Sequence, residues 1–267
     1  MSILKLENIS KHYLKAAGAK QNVLENINIL IDDTDGKGKF ISILAPFASG
    51  KSTLLKIISA IEKPDGGKVY LKNNVYDKPI GKIALIPERP SSFPWLNVKE
   101  NIAFGRRPNS SSSLGDQEVF YKELIDMVGL SGYEGHFPHN ESLGFRFRIS
   151  LARALAAKPE IILLDEPFKR MNSETKDEIY EMIRKVIKKY NLTIILATTN
   201  ITEAVYLSNK IYLMKKNPGH IFEEINIDAE TAIIKGLDRH DRFLSLKNEI
   251  EKSFRSAGEN FHTEVHI

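Results

Sequence analysis

The sequence predicts an α/β fold in which short apolar strands alternate with helices of 3.6-residue spacing. Two stretches carry this prediction. An apolar run at 41–44 leads through a turn of small residues into Gly50-Lys51-Ser52-Thr53, where a helical pattern begins. A second apolar run at 161–164 ends in two acids, Asp165 and Glu166. Strand, turn and helix in this order is the context of a phosphate-binding loop, so we expect a core of the P-loop class.

The other elements follow in chain order. Apolar or alternating runs predict strands at 3–9, 23–31, 68–71, 82–86, 193–197, 209–215 and 220–226. Helical spacing predicts helices at 52–62, 98–104, 119–130, 173–190 and 202–207. The stretch from about 88 to 158 is mostly helical in character, so we interpret it as an insertion in an α/β domain that spans 1–226. Its polar segment 108–113 is expected to be a surface loop.

A C-terminal helical extension is expected at 227–267. Phe243, Leu246, Ile250 and Phe254 would lie on one face of its helix and dock on the body of the protein.

Composition narrows the possible functions. The chain has 267 residues and a net charge of +4, which is compatible with a solvated surface or with an anionic partner or membrane. It has no cysteine, which excludes a disulfide, a zinc–thiolate site and a thiol nucleophile. No apolar run approaches the roughly 20 residues that span a bilayer. We therefore expect a soluble chain whose membrane role would depend on a partner.

The phosphate loop has a simple chemistry. Backbone N–H groups of the turn and of the helix N-terminus would face an anion. Lys51 would reach the β- and γ-phosphates, and the Ser52 hydroxyl would bind Mg²⁺. The alternative is a turn with a structural role only, but the position of Gly-Lys-Ser-Thr favours phosphate binding.

The acid pair after the second strand complements this loop. In a P-loop nucleotidase, an aspartate in this position supports Mg²⁺, and a neighbouring glutamate polarises the attacking water. Asp165 and Glu166 would have these two roles here. A helix cap would be the alternative for two acids in this position. The presence of both motifs in one chain favours a single Mg²⁺-bound triphosphate site.

The order of motifs resembles the ATP-binding cassette family over nearly the whole chain. An aromatic Tyr13 precedes the phosphate loop, an insertion begins near 88, and a signature segment precedes Ala-Arg-Ala-Leu and Asp-Glu-Pro. Finer features resemble the nitrate, sulfonate and taurine importers; they are Phe93-Pro-Trp-Leu96, Val98-Lys-Glu-Asn-Ile102, Asp165-Glu-Pro-Phe168, Glu203-Ala204 and Pro218-Gly219. The resemblance implies a P-loop ATPase core with an antiparallel β subdomain and an inserted helical subdomain.

The resemblance also implies cofactors and site residues. ATP and Mg²⁺ would be bound, with Tyr13 stacked on adenine, although this tyrosine could equally be an ordinary residue at a strand end. Phosphate contacts would come from Pro46, Phe47, Ala48, Ser49, Gly50, Lys51, Ser52 and Thr53, and across a dimer from Ser142 and Gly144. Mg²⁺ would be held by Ser52, Asp165 and Glu88, and hydrolysis would involve Glu166, Thr199 and Glu88. Trp95 would either lie near the docking cleft of a membrane subunit or belong to the core.

Several positions depart from the family pattern. Ala45, Phe47 and Ala48 replace Gly, Ser and Gly in the phosphate loop, and a methyl group costs on the order of 1 kcal/mol wherever φ must be positive. Glu88 replaces Gln, Thr199 replaces His, and Asn172 replaces Asp. Glu141-Ser142-Leu143-Gly144 replaces Leu-Ser-Gly-Gly, and Glu141 would repel a phosphate charge ~5–6 Å away by about 3 kcal/mol.

Two functions remain open on these residues. The first is the ATPase subunit of a membrane importer, with weak turnover of its own. It would pair with integral-membrane permease subunits and a second cassette. It would lie in the cytoplasm at the inner face of the cell membrane. The second is a nucleotide-binding subunit that does not hydrolyse ATP and acts structurally or as a regulator. A nucleic-acid partner is not expected, because the chain lacks a strongly basic face.

Overall fold

The computed structural model describes residues 2–14, 18–32, 36–89, 91–106, 114–227 and 241–259. The strands are β1 (Ser2–Leu14), β2 (Lys20–Asp32), β3 (Phe40–Leu44), β4 (Gly66–Leu71), β5 (Asn74–Val75), β6 (Ile83–Ile86), β7 (Ile161–Asp165), β8 (Thr193–Thr198), β9 (Lys210–Lys215) and β10 (His220–Asn226). The α-helices are α1 (Lys51–Ile58), α2 (Val98–Phe104), α3 (Leu114–Met127), α4 (Leu143–Ala156), α5 (Ser173–Tyr190), α6 (Ile201–Leu207) and α7 (Asp241–Ser256). The chain forms two compact units, Met1–Ile80 with Ile194–Ile267, and Gly81–Thr193.

The first unit contains an antiparallel sheet in the order β2-β1-β4-β5. Leu4, Leu6 and Ile9 of β1 are at most 1% exposed, so one face of the long first strand is fully covered. Short strand β5 has only two residues and follows a turn in which Lys72 and Asn73 adopt positive φ. No hydrophobic pattern marks so short a strand, and for that reason the sequence did not predict it.

A mostly parallel group of strands holds the phosphate loop. Within the first unit these strands lie in the order β10-β9-β3-β8, with β3 parallel to both of its neighbours. All five residues of β3 are buried, which explains why four of them are large and apolar; the fifth, Ser42, accepts a hydrogen bond from the Ser208 hydroxyl at 2.6 Å. The pairing places Leu44 beside Thr198, so the ends of β3 and β8 meet at one edge.

Helix α1 is shorter than the sequence predicts. It begins at Lys51, directly after the loop, and ends at Ile58 rather than at residue 62. Ser59 caps the helix, and its hydroxyl donates to the carbonyl oxygen of Lys56. Ala60 then adopts φ 56°, which no α-helix accommodates, and the prediction of a helix over 52–62 was wrong in its second half for this reason.

The C-terminal helix α7 packs on the first unit, as the sequence predicts. Phe243, Ile250 and Phe254 are buried in a cluster with residues of α6, and Leu246 is partly buried against it. The ring of Phe254 meets that of Phe222 edge-on, with centroids 5.4 Å apart. Residues 228–240 and 260–267 of the predicted extension lie outside the described residues.

The second unit packs four helices, α2 to α5, with the parallel pair β6 and β7. The predicted insertion at 88–158 lies inside this unit, which also contains β7 and α5. Helix α3 begins at Leu114 and ends at Met127, earlier at both ends than predicted, because Gly129 has φ 68° and stops it. The predicted surface loop at 108–113 lies outside the described residues.

Polar caps explain where the helices of the second unit begin. Asn97 and Glu100 form a capping box at α2, and the Asn172 side chain accepts a hydrogen bond from the Thr175 N–H at the start of α5. Both helices have the bounds that the sequence predicts. Among the helices within the described ranges, none is both long and apolar enough to cross a bilayer.

The packing of α7 predicts a large effect for Phe254→Ala. Removal of a fully buried ring leaves a cavity, and we expect the free energy of unfolding to fall by about 3–5 kcal/mol. Urea unfolding followed by circular dichroism would measure it. Leu244→Ala is the matched control, because Leu244 is 43% exposed on the same helix and should change stability by no more than about 0.5 kcal/mol.

Candidate functional site

The phosphate loop leaves β3 at Ala45. The Ala45 N–H donates to the Thr198 carbonyl oxygen at 3.2 Å, which continues the β3–β8 ladder by one residue into the loop. Pro46 is buried, whereas Phe47 is 74% exposed and Ala48 is exposed. The Phe47 ring therefore lies at the surface and not in the core.

Gly50 closes the loop and is the N-cap of α1. Its φ of 92° and ψ of 10° lie in the left-handed region, and the helix begins without a side-chain cap. A Cβ atom at this position would stand 2.8 Å from Cδ2 of Leu24 and 3.0 Å from Cγ1 of Val23. Both the conformation and the close approach of β2 therefore require glycine.

Lys51 is the buried cation of the loop. Only 4% of the residue is exposed, and its Nζ donates to the carbonyl oxygens of Ala45 and Pro46 at 3.0 Å each. The ammonium group thus lies over the turn that precedes its own helix. A positive charge at a helix N-terminus is the arrangement that attracts a phosphate group.

Ser49 provides a further group that fits an anionic ligand. The residue is 2% exposed, and its Oγ has no hydrogen-bond partner within the described part of the chain. A buried hydroxyl without a partner is unfavourable by about 1–3 kcal/mol, and a phosphate oxygen would satisfy it. Ser52 is exposed and Thr53 is half-buried on the first turn of α1.

The altered loop residues carry less strain than the sequence indicates. Among residues 45–53, which are all described, the only non-glycine residue with positive φ is Ala48, at 61°. The expected strain from a methyl group therefore arises at Ala48, at about 1–2 kcal/mol, and not at Ala45 or Phe47. Of the three substituted positions, only Ala48 therefore has a strained backbone conformation.

A hairpin from the end of the first unit supports this loop. Gly219 lies between β9 and β10, and its N–H donates to the Val23 carbonyl oxygen at 2.8 Å. A Cβ atom at Gly219 would stand 2.3 Å from the carbonyl oxygen of Ser49. Gly219, which the sequence singled out together with Pro218 only by resemblance, therefore has to be a glycine for this close approach to the backbone of the phosphate loop.

Tyr13 is placed beside the helix of the phosphate loop. It is 40% exposed, and its hydroxyl donates to Glu62 at 2.5 Å. Lys11 Nζ lies 5.5 Å from the ring centroid. Burial and the Glu62 carboxylate raise the pKa of Tyr13, while a hydrogen bond with Thr53 opposes this shift. The tyrosine thus has a fixed hydroxyl and a partly exposed ring next to a predicted phosphate residue.

Thr199, which stands where the family has histidine, directly follows β8. Thr198 is buried and donates to Glu203 at 2.8 Å, and the Asn200 side chain caps α6. Thr199 lies between them and is half-buried. In the first unit the structure therefore places Thr199 at the end of β8, whose last residue pairs with the last residue of β3.

In the second unit, Asp165 is the last residue of β7 and Glu166 follows it directly. Both are partly exposed, and Glu166 has φ 42°. A cavity in this unit brings Glu166 together with the other predicted acid, Glu88, which is exposed after β6. The residues that line it are Glu88, Arg89, Leu143, Glu166, Pro167, Lys169 and Arg170. No group of three or more carboxylate or histidine side chains suited to a metal occurs in the described residues.

The signature segment, residues 141–144, lies at the N-terminus of α4, and its residues differ in exposure. Ser142 is exposed and caps α4, accepting a hydrogen bond from the Phe145 N–H at 3.2 Å, and Glu141 is half-buried. Leu143 lines the cavity described above. Gly144 is buried, and a Cβ atom there would stand 2.5 Å from Thr175 Cγ2. Gly144 was predicted to contact phosphate, but the close packing of α4 against α5 already requires glycine at this position.

An aromatic surface in the second unit was only partly anticipated. Trp95 is 69% exposed and Phe104 is 65% exposed, so the interpretation of Trp95 as a core residue is wrong. The Phe93 ring contacts both of them, with centroids at 5.2 and 4.8 Å. We call Phe93, Trp95 and Phe104 the aromatic surface.

Two polar residues contact Phe93 of the aromatic surface, the buried Asn101 and the half-buried Arg153, and sequence reasoning gave neither of them this role. The Asn101 side chain accepts from the Phe93 N–H and donates to the carbonyl oxygens of Phe93, Leu96 and Asn97. The Arg153 guanidinium lies 4.6 Å from the Phe93 ring centroid, and burial lowers its pKa. An asparagine at an apolar position of the helical pattern was the one available signal for Asn101.

The first unit therefore has the loop, the cation and the left-handed glycine of a P-loop nucleotidase. A family model described as ABC transporter matches residues 33–169, about half of the chain. Together with the relatives below, this match shows that the chain belongs to the ABC transporter family, as a P-loop ATPase whose cofactors are ATP and Mg²⁺. The predicted fold class is confirmed.

Relatives of known name cover almost the whole chain. The aliphatic sulfonates import ATP-binding protein SsuB of Bacillus anthracis is 36% identical over 255 residues, which are 95% of this chain and 96% of that protein. The taurine import ATP-binding protein TauB of Pseudomonas syringae pv. tomato is 33% identical over 85% of this chain and 84% of its own length. Among solved structures, a dimeric ATP-binding cassette, MJ0796, bound to ADP and Pi is 28% identical, with a TM-score of 0.72, and covers 85% of this chain and 99% of its own.

The unpartnered Ser49 hydroxyl predicts effects of opposite sign on stability and binding. Ser49→Ala should raise the free energy of unfolding without nucleotide by about 1 kcal/mol, because a buried unsatisfied group is removed. The same change should weaken ATP binding roughly tenfold, because a hydrogen bond to a charged group is lost. Urea unfolding and calorimetric titration with ATP would measure the two effects.

Ser59→Ala is the control for this prediction. Ser59 is also buried near α1, but its hydroxyl donates to the Lys56 carbonyl oxygen at 3.1 Å. Its removal should lower stability by about 1 kcal/mol and leave ATP affinity unchanged. If both variants lose stability equally, the Ser49 hydroxyl has a partner within the protein.

Proposed function

We propose that this chain is the ATP-hydrolysing subunit of a membrane importer for sulfonate-like solutes. The observation that carries the proposal is the 36% identity with a sulfonate import ATP-binding protein over 95% of the chain. The chain would act at the cytoplasmic face of the membrane with permease subunits and a second cassette, which is the same chain or a different one. ATP bound at the phosphate loop would drive the transport cycle.

Nucleotide binding is assigned to the first unit. Lys51 and the backbone from Pro46 to Thr53 would hold the phosphates, and Tyr13 would stack on the adenine ring. Support comes from the buried Lys51 ammonium and the unpartnered Ser49 hydroxyl. Mg²⁺ when bound would neutralise the phosphate charge; the resemblance to the family implies Ser52, Asp165 and Glu88 as its ligands, and each of these side chains offers the hard oxygen donor that Mg²⁺ prefers.

Hydrolysis is assigned to Glu166. A water that attacks the γ-phosphorus would give its proton to the Glu166 carboxylate, and the bond to the ADP oxygen would break. Thr199 would donate its hydroxyl to the γ-phosphate, where the family has a histidine. Glu88 would contribute a second carboxylate.

Weak turnover by this chain alone is part of the proposal. The signature segment offers Glu141 and a branched Leu143 where a second cassette's γ-phosphate would be bound, and Thr199 offers a single hydroxyl in place of an imidazole. A partner cassette with an intact signature would supply what this one lacks. Such a pair would have one efficient and one inefficient site.

The aromatic surface is assigned to the permease. Two of its three side chains are about two-thirds exposed, and Asn101 fixes the backbone beneath them with four hydrogen bonds. Exposed aromatic side chains on a rigid loop are typical anchors of protein interfaces. Burial against a short helix of a permease would cover them.

Glu166→Gln tests the hydrolytic assignment and separates it from a purely structural role. We expect ATPase activity of the assembled importer to fall roughly a hundredfold or more, because the amide cannot take the proton, while ATP still binds. Phosphate release would measure turnover, and calorimetry would measure binding. Glu174→Gln, an exposed acid in the first turn of α5, should leave turnover unchanged. Unchanged transport in Glu166→Gln would instead support a subunit that does not hydrolyse ATP.

Trp95→Ala tests the permease assignment. Loss of an interface aromatic should weaken assembly with the permease by about 2 kcal/mol or more, while ATP affinity of the isolated chain stays as it is. Co-purification with the permease and a titration in detergent would measure this. Val119→Ala removes a side chain that is 63% exposed elsewhere in the second unit and should leave assembly intact.

A further inference from the structure

A network of side chains joins the end of β1 to the turn that follows α1. Tyr13 in β1 donates its hydroxyl to Oε1 of Glu62, a residue just beyond the end of α1. The same carboxylate oxygen lies 3.4 Å from Nζ of Lys11. Glu62 therefore contacts both the tyrosine that we assign to adenine and the lysine that precedes it in the strand, although no sequence motif includes Glu62.

Lys11 ties this network to the rest of the turn. Its Nζ donates to the Lys63 carbonyl oxygen at 2.8 Å and to Oδ1 of Asp65 at 3.3 Å. Asp65 in turn accepts a hydrogen bond from the His12 N–H at 2.7 Å. Only 13% of the Lys11 side chain and 21% of the Glu62 side chain are exposed. Water screens such partly buried charges less than exposed ones, so the network holds the Glu62 carboxylate at a defined place.

The backbone of Glu62 is held as well. The N–H groups of Ile61 and Glu62 both donate to the Lys56 carbonyl oxygen, at 3.0 and 3.2 Å. Ala60, with φ 56°, turns the chain out of α1 just before them. The carboxylate therefore has a fixed position relative to α1, which is the helix that begins at the phosphate loop.

The network leaves part of the Tyr13 ring available to a ligand, because the residue is 40% exposed. Lys11 Nζ lies over one face of the ring, 5.5 Å from its centroid, so a flat base would stack on the other face. The hydroxyl also forms a hydrogen bond with Thr53, on the first turn of α1. The hydrogen bonds fix the direction of the side chain, and the ammonium group favours one plane of the ring.

We propose that Glu62 is a positioning residue for the adenine ring of ATP and acts through Tyr13. This inference rests on the proposed function, in which Tyr13 stacks on the base. The carboxylate holds the tyrosine in the stacking orientation before the nucleotide arrives, so ATP binding does not have to order that side chain. The effect is confined to the base, because the phosphates are held by the loop and not by Tyr13.

Glu62→Ala tests this role by calorimetric titration of the full chain with MgATP and, separately, with magnesium tripolyphosphate, which has the phosphates without the base. We expect the Kd for ATP to rise roughly threefold to tenfold, as loss of one hydrogen bond allows, while the Kd for tripolyphosphate stays unchanged. Glu62→Gln keeps an acceptor oxygen for the Tyr13 hydroxyl and should restore the Kd for ATP to within about twofold of the wild type. Asp77→Ala is the matched control, because Asp77 is an exposed acid of the same unit that pairs with Lys63 at 3.7 Å, and it should change neither Kd.

Tyr13→Phe separates anchoring of the ring from a general structural effect of Glu62. It removes only the hydroxyl, so it should raise the Kd for ATP by a factor similar to that of Glu62→Ala, and the double variant should be no weaker than either single one. An effect of Glu62→Ala that extends to tripolyphosphate, or that Glu62→Gln does not restore, would overturn the positioning role. Thermal melting would establish that each variant is folded, and Tyr13→Phe decides the question if Glu62→Ala is not.

Tyr13→Ala separates this inference from the proposed function. If the wild type binds neither ATP nor tripolyphosphate, the nucleotide assignment fails, and the role of Glu62 fails with it. If ATP binds but Tyr13→Ala leaves its Kd unchanged, the stacking assignment fails, and Glu62 has no base to position. If Tyr13→Ala weakens ATP binding and Glu62→Ala does not, only the role of Glu62 is overturned.

Discussion

The contact between the Lys51 ammonium and the turn that precedes it is the interaction on which the first unit depends. Lys51 can reach the Ala45 and Pro46 carbonyl oxygens only because Gly50 turns the chain through a left-handed conformation. Only glycine fits there, because a Cβ atom at Gly50 would stand 2.8 Å from Cδ2 of Leu24 in β2. The buried β3 carries the loop, and its pairing with β8 and β9 fixes where the loop begins. The anion site thus requires three things: the buried sheet that carries the loop, the glycine that turns it, and the lysine that provides the charge.

The second unit shows a different balance between packing and chemistry. Gly144 and Asn172 occupy positions that the family pattern relates to nucleotide chemistry, yet here they serve helix packing and capping. The residues available for chemistry are those that the packed frame leaves on cavity walls, chiefly Glu88 and Glu166. A position can therefore keep its structural role while its catalytic neighbours diverge. That separation explains how a cassette with an altered signature still has an ordinary fold.

Much of the fold could be predicted because hydrophobic periodicity and caps are local signals. The bounds of α2 and α5 followed from the helical spacing of their residues, and the structure shows that Asn97 and Asn172 cap the two helices. The end of α1 could not be predicted, because it depends on the left-handed Ala60 and on tertiary contacts. The same holds for the site. Gly50 and Lys51 were visible as a motif, whereas the cavity that places Glu88 and Glu166 on one lining depends on tertiary packing that no spacing rule reports.

The hairpin at Gly219 has a consequence for how this protein responds to variation. A single methyl group there would collide with the carbonyl oxygen of Ser49, although the two residues are far apart in the sequence. A substitution in that distant turn would consequently behave like a lesion of the nucleotide pocket itself. Random mutagenesis of the carboxyl-terminal third would recover alleles impaired in ATP binding, and their map positions alone would give no hint of the cause.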